Sequence, residues 1–170
     1  MFSKKYSVEQ IKSLPPEFFL LVINRAKKYL KNNEVMQRIC KEHKQSVEII
    51  DLIPTMFADL DVSAKTDHGI VLLNYKLLCD GDFFKDYMYL IHEYSHYFQQ
   101  CWRDKPTYGS NKNYLDNEFE QEGFQNQVEF MSEEFGEEQA EKYVDHLLNH
   151  HKIHDKQEKK LKKDELMMKA

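Results

Sequence analysis

The stretch YLIHEYSHYFQQ, residues 89 to 100, carries two histidines four apart, with a glutamate directly after the first. On a helix, positions i and i+4 sit about 40° apart and one turn along, so His92 and His96 point the same way. Two imidazoles at that spacing can hold one zinc ion from one side. Glu93 falls about 100° round the helix from His92, where it lies beside such an ion without ligating it. A carboxylate there can take a proton from water, whose pKa a zinc ion lowers to about 7. HEYSH thus satisfies the HExxH pattern of metal-assisted hydrolysis, with His92 and His96 as metal ligands and Glu93 as general base. The competing reading is a polar stripe on an amphipathic helix, because the pattern fixes only those positions.

Two histidines underfill a catalytic zinc site, which normally has three protein ligands and an open position. Downstream, YLDNEFEQEGFQNQ offers Glu118, Glu120 and Glu122 at the start of a further helical segment. An HExxH helix followed by a glutamate on a later helix resembles the gluzincin group of zinc metallopeptidases. In that group the ligand glutamate is often followed at i+3 by a small residue, which lets the two helices approach closely. Glu120 has Gly123 at that position, whereas Glu118 has Gln121 and Glu122 has Gln125. NEFEQEG is also similar to the NPxExEA segment of small bacterial and phage zincin-like proteins, in which the glutamate at the place of Glu120 is the expected ligand. QEGF echoes the aminopeptidase segment NEGFA and would favour Glu122; the echo is shorter. A metzincin would continue HExxHxxGxxH, but Gln99 and Trp102 stand at the glycine and third-histidine positions.

The resemblance covers roughly residues 69 to 135. It implies a zinc-dependent peptidase: His92, His96 and Glu120 hold Zn2+, Glu93 is the base, and the substrate is a peptide or protein. The strand before the motif would then be the sheet edge on which an extended peptide lies. The second reading is a zincin-like module that holds zinc structurally and cuts nothing; retention of Glu93 favours catalysis. A partner for the developing oxyanion is sought among Tyr108, Tyr114, Tyr143 and His146, and histidine-orienting carboxylates among Asp86 and Asp116. His146, His150 and His154 recur every four residues, which reads as a solvated surface rather than a second metal site.

These residues need elements to hold them. Asp82 to Trp102 contains no glycine or proline. Phe84, Tyr87, Met88, Ile91, Ser95, Phe98 and Trp102 recur at spacings of three and four, which predicts a helix with a wide apolar face. GIVLLNY, 69 to 75, is the clearest strand, and TDHG before it is a turn signal. SVEIIDLI, 46 to 53, is β-branched and reads as a strand closed by Pro54; DLDVS, 59 to 63, reads as another. Helices are expected at 7–14, from Pro16 to about residue 32, at 33–43, 117–135 and 137–151. The fold class is α+β, mainly helical and zincin-like, with a small antiparallel or mixed sheet preceding the motif helix. A single domain would span 1–151, followed by a charged, flexible tail at 152–170.

Composition sets the outer bounds. The formal net charge of −5 offers no general attraction to nucleic acid or anionic membrane. No apolar run approaches the roughly 20 residues needed to span a bilayer. Cys40, Cys79 and Cys101 are widely spaced and odd in number, which suits a reducing, cytoplasmic setting better than a disulfide framework. Residues 116 to 145 carry eleven acids against one base, while the tail from Lys152 carries seven lysines against four acids. The tail therefore has a complementary face to fold back on.

Overall fold

Ser7 opens the first helix with a reciprocal cap: its hydroxyl accepts from the Gln10 main-chain N–H at 3.1 Å, and the Gln10 side chain accepts from Ser7 N–H at 2.8 Å. Helix α1 is Val8–Lys12, and Pro16, at the first turn, starts α2, Pro16–Lys31. Asn33 caps α3, Glu34–Glu42, accepting from Met36 N–H at 3.2 Å. The computed structural model describes residues 5–102, 115 and 117–170. It divides into two compact units, Met1–Lys105 and Pro106–Ala170.

In the first unit the sheet has three strands, β1 (Thr55–Ala58), β2 (Ala64–Asp67) and β3 (Ile70–Asn74), in the order β1-β3-β2. β3 runs parallel to β1 and antiparallel to β2, so the sheet is mixed. The β2–β3 hairpin turns on His68 and Gly69, both at positive φ (49° and 77°). A two-residue turn with that geometry matches the twist of the strands it joins, and glycine adopts it without steric cost. Val71 and Leu73 are fully buried. Helix α4, Tyr87–Trp102, follows the sheet and packs on β2 and β3, while α2 packs on β1. The core of this unit includes Leu30, Met36, Ile39, Ile50, Ile53, Leu90, Ile91, Tyr94 and Phe98.

The second unit is a three-helix assembly: α5 (Glu118–Phe135), α6 (Glu137–His150) and α7 (Lys156–Leu166), each packed on the other two. Gly136, at φ 93°, joins α5 to α6 in a conformation that L side chains rarely adopt. Val128, Phe130, Ala140, Val144 and Leu148 are fully buried.

The α+β, mainly helical class with a mixed sheet before α4 is as the sequence indicates. Several local expectations change. SVEIIDLI forms a 3-10 turn, Val47–Leu52, capped by the Ser46 hydroxyl, rather than a strand. Ile50 and Ile53 are buried and Leu52 is exposed. Apolar burial at a spacing of three suits three residues per turn, and this spacing prevails over β-branched composition. Residues 59–63 connect β1 to β2 instead of forming a strand; the Asn74 amide donates to the carbonyls of Leu60 and Val62, each at 2.9 Å, and holds them in place. β3 is the central strand and not an edge. α4 starts at Tyr87, after a 3-10 turn at Phe84–Asp86.

The lysine-rich tail, expected to be flexible, forms α7. Asp155 caps it, accepting from Gln157 and Glu158 N–H, and Leu166 is buried. Lys163 reaches Glu141 and Asp145 on α6, as the complementary charges suggest, and the Gln125 amide donates to the Glu165 carbonyl at 2.9 Å. Among the described residues, no helix is long and apolar enough to cross a membrane.

Candidate functional site

Helix α4 brings His92, Glu93 and His96 into the interior of the protein. Their exposures are 5, 7 and 5%. The Nε2 atoms of His92 and His96 lie 3.0 Å apart, and the rings meet edge to face. Two nitrogens at that distance can share one proton or, with the proton gone, one cation. Tetrahedral zinc with Zn–N bonds of about 2.0–2.1 Å sets its nitrogen ligands about 3.3 Å apart. The pair thus fits a borderline-soft divalent metal with a shift of a few tenths of an ångström.

The protonation of His96 is set by its neighbour. His96 Nδ1–H donates to Gln99 Oε1 at 2.7 Å, and Gln99 is fully buried one turn further on. An amide oxygen only accepts, so the ring carries its proton on Nδ1 and turns the lone pair of Nε2 toward His92. Metal-ligating histidines are oriented in this way by the acceptor on their far nitrogen.

Glu93 is held from the sheet. The Thr66 hydroxyl, on edge strand β2, donates to Glu93 Oε2 at 2.7 Å, and Thr66 Oγ1 also lies 2.9 Å from the Glu93 main-chain carbonyl. Gln100 strengthens this link: its amide oxygen accepts from Gly69 N–H at 3.3 Å, and its amide donates to the Thr66 carbonyl at 3.4 Å. On the apolar side of α4, the fully buried Tyr94 hydroxyl meets the Thr55 hydroxyl at 3.0 Å on β1. Burial pushes this phenol far up, partly offset by the Thr55 hydrogen bond, so it stays protonated. The helix is therefore fixed to two strands by side chains flanking the histidine pair.

Glu118, Glu120 and Glu122 lie in the second unit, at the start of α5. Asn117 caps the helix, accepting from Phe119 N–H at 2.9 Å and Glu120 N–H at 3.4 Å. Glu120 is buried, Glu122 half-buried and Glu118 exposed; Gly123 is buried. His151, at the end of α6, is close enough to feel Glu120. Burial lowers its pKa, His150 lowers it further, and the Glu120 carboxylate works against both.

The remaining candidates separate. Tyr143 is half-buried and His146 exposed on α6. His150 ends that helix and His154 lies beyond it, so the four-residue spacing does not continue along one helical face. Asp86 is buried in the turn before α4, where burial, with Lys85 opposing and Asp82 adding to it, pushes its pKa to about 7. Tyr108, Tyr114 and Asp116 lie outside the described residues. Sequence reasoning missed Thr66 and the role of Gln99. Gln99 carried a local signal, standing at i+3 from His96 on the same helix. Thr66 carried none, because its contact with Glu93 is made by the packing of a hairpin on a helix. Comparison with protein-family models, with curated proteins and with solved structures finds no match.

Proposed function

We propose that this protein is a zinc-dependent peptidase, with His92, His96 and Glu120 as zinc ligands and Glu93 as general base. The observation that carries the reading is the buried His92–His96 pair, Nε2 facing Nε2, beside a glutamate whose carboxylate is held by Thr66. Burial favours Glu120 over Glu118 and Glu122, since a ligand carboxylate is withdrawn from solvent. Zinc, when bound, supplies a Lewis acid that lowers the pKa of water to about 7 and polarises a peptide carbonyl. Glu93 takes the proton of the attacking water and passes it to the leaving amine. Thr66 donates to Oε2, which directs the basic lone pairs of the carboxylate away from the sheet. Gln99 keeps the His96 Nε2 lone pair available.

An extended peptide substrate is expected to add to β2, because β3 is paired on both sides and β2 is the edge strand packed on α4. The net charge and the spacing of three unpaired cysteines favour a peptide partner over nucleic acid, and a reducing, cytoplasmic setting. The alternative is a zinc-holding module with a structural role. The retained glutamate argues against it, since a structural site needs no base.

The test is elemental mass spectrometry of protein purified without chelators, beside His96→Ala, Glu120→Gln and Glu122→Gln. Stoichiometric zinc that is lost in His96→Ala and Glu120→Gln and kept in Glu122→Gln supports the ligand set. No zinc in the wild type, even after its addition, refutes it. A peptide-library digest with Glu93→Gln as control then separates the peptidase from the module: zinc without turnover in the wild type favours the module.

A further inference from the structure

A cavity of about 900 Å³ opens in the first unit, between α1, α2, the Phe84–Asp86 turn and the first residue of α4. Its volume falls in the range of small-molecule sites. It shares no lining residue with His92, Glu93 or His96. Tyr6, Phe18, Tyr29, Phe83, Phe84 and Tyr87 contribute aromatic walls. Four of these rings form a connected cluster: Tyr29–Phe84 at 5.1 Å, Tyr29–Tyr87 at 5.5 Å, Phe83–Tyr87 at 5.4 Å and Phe84–Tyr87 at 5.1 Å. Phe84 and Tyr6 are 36% and 48% exposed, unusual for large aromatic residues in a well-packed wall.

Two polar groups on this wall lack partners. Tyr87 is 6% exposed as a residue, and its hydroxyl makes no hydrogen bond among the described residues. The oxygen itself is not sealed off from solvent, so it is open to a ligand in the cavity. Arg25, on α2, has no ion pair among the described residues, whereas Lys31 on the same helix pairs with Asp51 and Glu48. The two lie close together: burial raises the Tyr87 phenol and the Arg25 guanidinium lowers it again. A guanidinium beside a phenolic hydroxyl presents several N–H and O–H donors and no strong acceptor, which is what a carboxylate needs. Asp82 also lines the cavity, and the Lys5 ammonium lies 3.8 Å from the position of a Cβ on neighbouring Gly81. Arg25, Asp82 and Lys5 together leave the wall with a single positive charge. That suits a monoanion better than a phosphate dianion.

We infer that this cavity is a binding site for a small aromatic carboxylate, its rings held among Tyr29, Phe83, Phe84 and Tyr87 and its carboxylate held by Arg25 and the Tyr87 hydroxyl. The site is independent of the peptidase reading and stands or falls separately.

Isothermal titration with naphthalene-2-acetate and with its uncharged primary amide tests it, on the wild type, Arg25→Gln and Tyr87→Phe. Arg25 is exposed and Tyr87→Phe preserves shape, so both variants should fold, with melting temperature as the check. The acid should bind the wild type. The amide, and the acid on Arg25→Gln, should each bind about tenfold more weakly, the loss expected for a charge-assisted bond. Tyr87→Phe should weaken the acid, and the amide by less, since the hydroxyl bonds a charged oxygen more strongly than a neutral one. No binding of the acid at millimolar concentration, or equal affinities for acid and amide, overturns the inference. An unchanged affinity of the acid for Arg25→Gln overturns it as well.

Discussion

Asp86→Asn should stabilise the first unit in alkaline but not in acidic solution. Asp86 closes the turn before α4 and is 8% exposed. Burial raises its pKa, Lys85 opposes this, and Asp82 adds to it; the result is about 7, against 3.8 for a free side chain. A carboxylate at the start of a helix gains about 0.3–1 kcal/mol from the helix dipole, too little to reverse a shift of this size. The sign follows from which state holds the proton. Below about pH 4 both folded and unfolded chains are protonated there, and no penalty arises. Between about pH 4 and 7 the folded chain keeps a proton that the unfolded chain has released, so stability falls as pH rises. Each pH unit costs about 1.4 kcal/mol, and above pH 7 the loss is complete at about 4 kcal/mol. Asparagine has the same shape and no proton to lose. The stability of Asp86→Asn relative to the wild type should therefore rise by about 3 kcal/mol between pH 4.5 and pH 8. Urea unfolding at the two pH values, followed by far-ultraviolet circular dichroism, measures it. A difference between the two proteins that stays flat across that interval would refute the assignment of a buried, reluctantly ionised carboxyl.

On the proposal of a zinc site, Gln99→Leu removes the acceptor from His96 Nδ1 and should weaken zinc affinity about 10–100-fold, read by competition with a chromogenic chelator; unchanged affinity would show that the amide does not orient the ring. On the peptidase reading, Thr66→Val should lower turnover about tenfold or more at unchanged zinc content, while Thr66→Ser keeps most of the activity; equal rates for the two variants would remove Thr66 from the mechanism. Leu166→Ala should cost the second unit about 2–4 kcal/mol and speed amide exchange in α7, since Leu166 is 1% exposed; a silent substitution would mean that α7 is not docked.

What the sequence disclosed was local. His92 and His96 could be paired on paper because i and i+4 adjacency follows from one helix alone, and α2, α5, α6 and β3 showed their own periods. What it concealed depends on distant partners. Val47, Ile50 and Ile53 are three apart, but their β-branched neighbours suggested a strand, and only the burial of Ile50 and Ile53 shows which pattern prevails. The central place of β3 depends on β1 pairing parallel to it across an intervening strand, which no window of residues encodes. Helix α7 has few apolar residues to announce it. It is held by Leu166, by lysine–acid pairs to α6 and by amide bonds from α5, each of which needs a partner far along the chain.

The polar stripe, as the rival account of HEYSH, makes a physical demand that α4 does not meet. Residues on a wet helical face stay in water, yet His92, Glu93 and His96 are each less than a tenth exposed, and Ser95 and Gln99 are not exposed at all. Burying such groups costs free energy unless each finds a partner. Ser95 returns its hydroxyl to the Ile91 carbonyl at 2.9 Å, which costs little and is common on helices. Glu93 and His96 are different. The partner of His96, Gln99, is itself fully withdrawn from water, so one buried polar residue is satisfied by burying another, while Glu93 is satisfied by the half-buried Thr66. Leucine or isoleucine at these positions would pack the same helix at lower cost. Sequences depart from that cheaper solution mainly where a site requires it, and on α4 His92, Glu93, Ser95, His96 and Gln99 all do so within two turns.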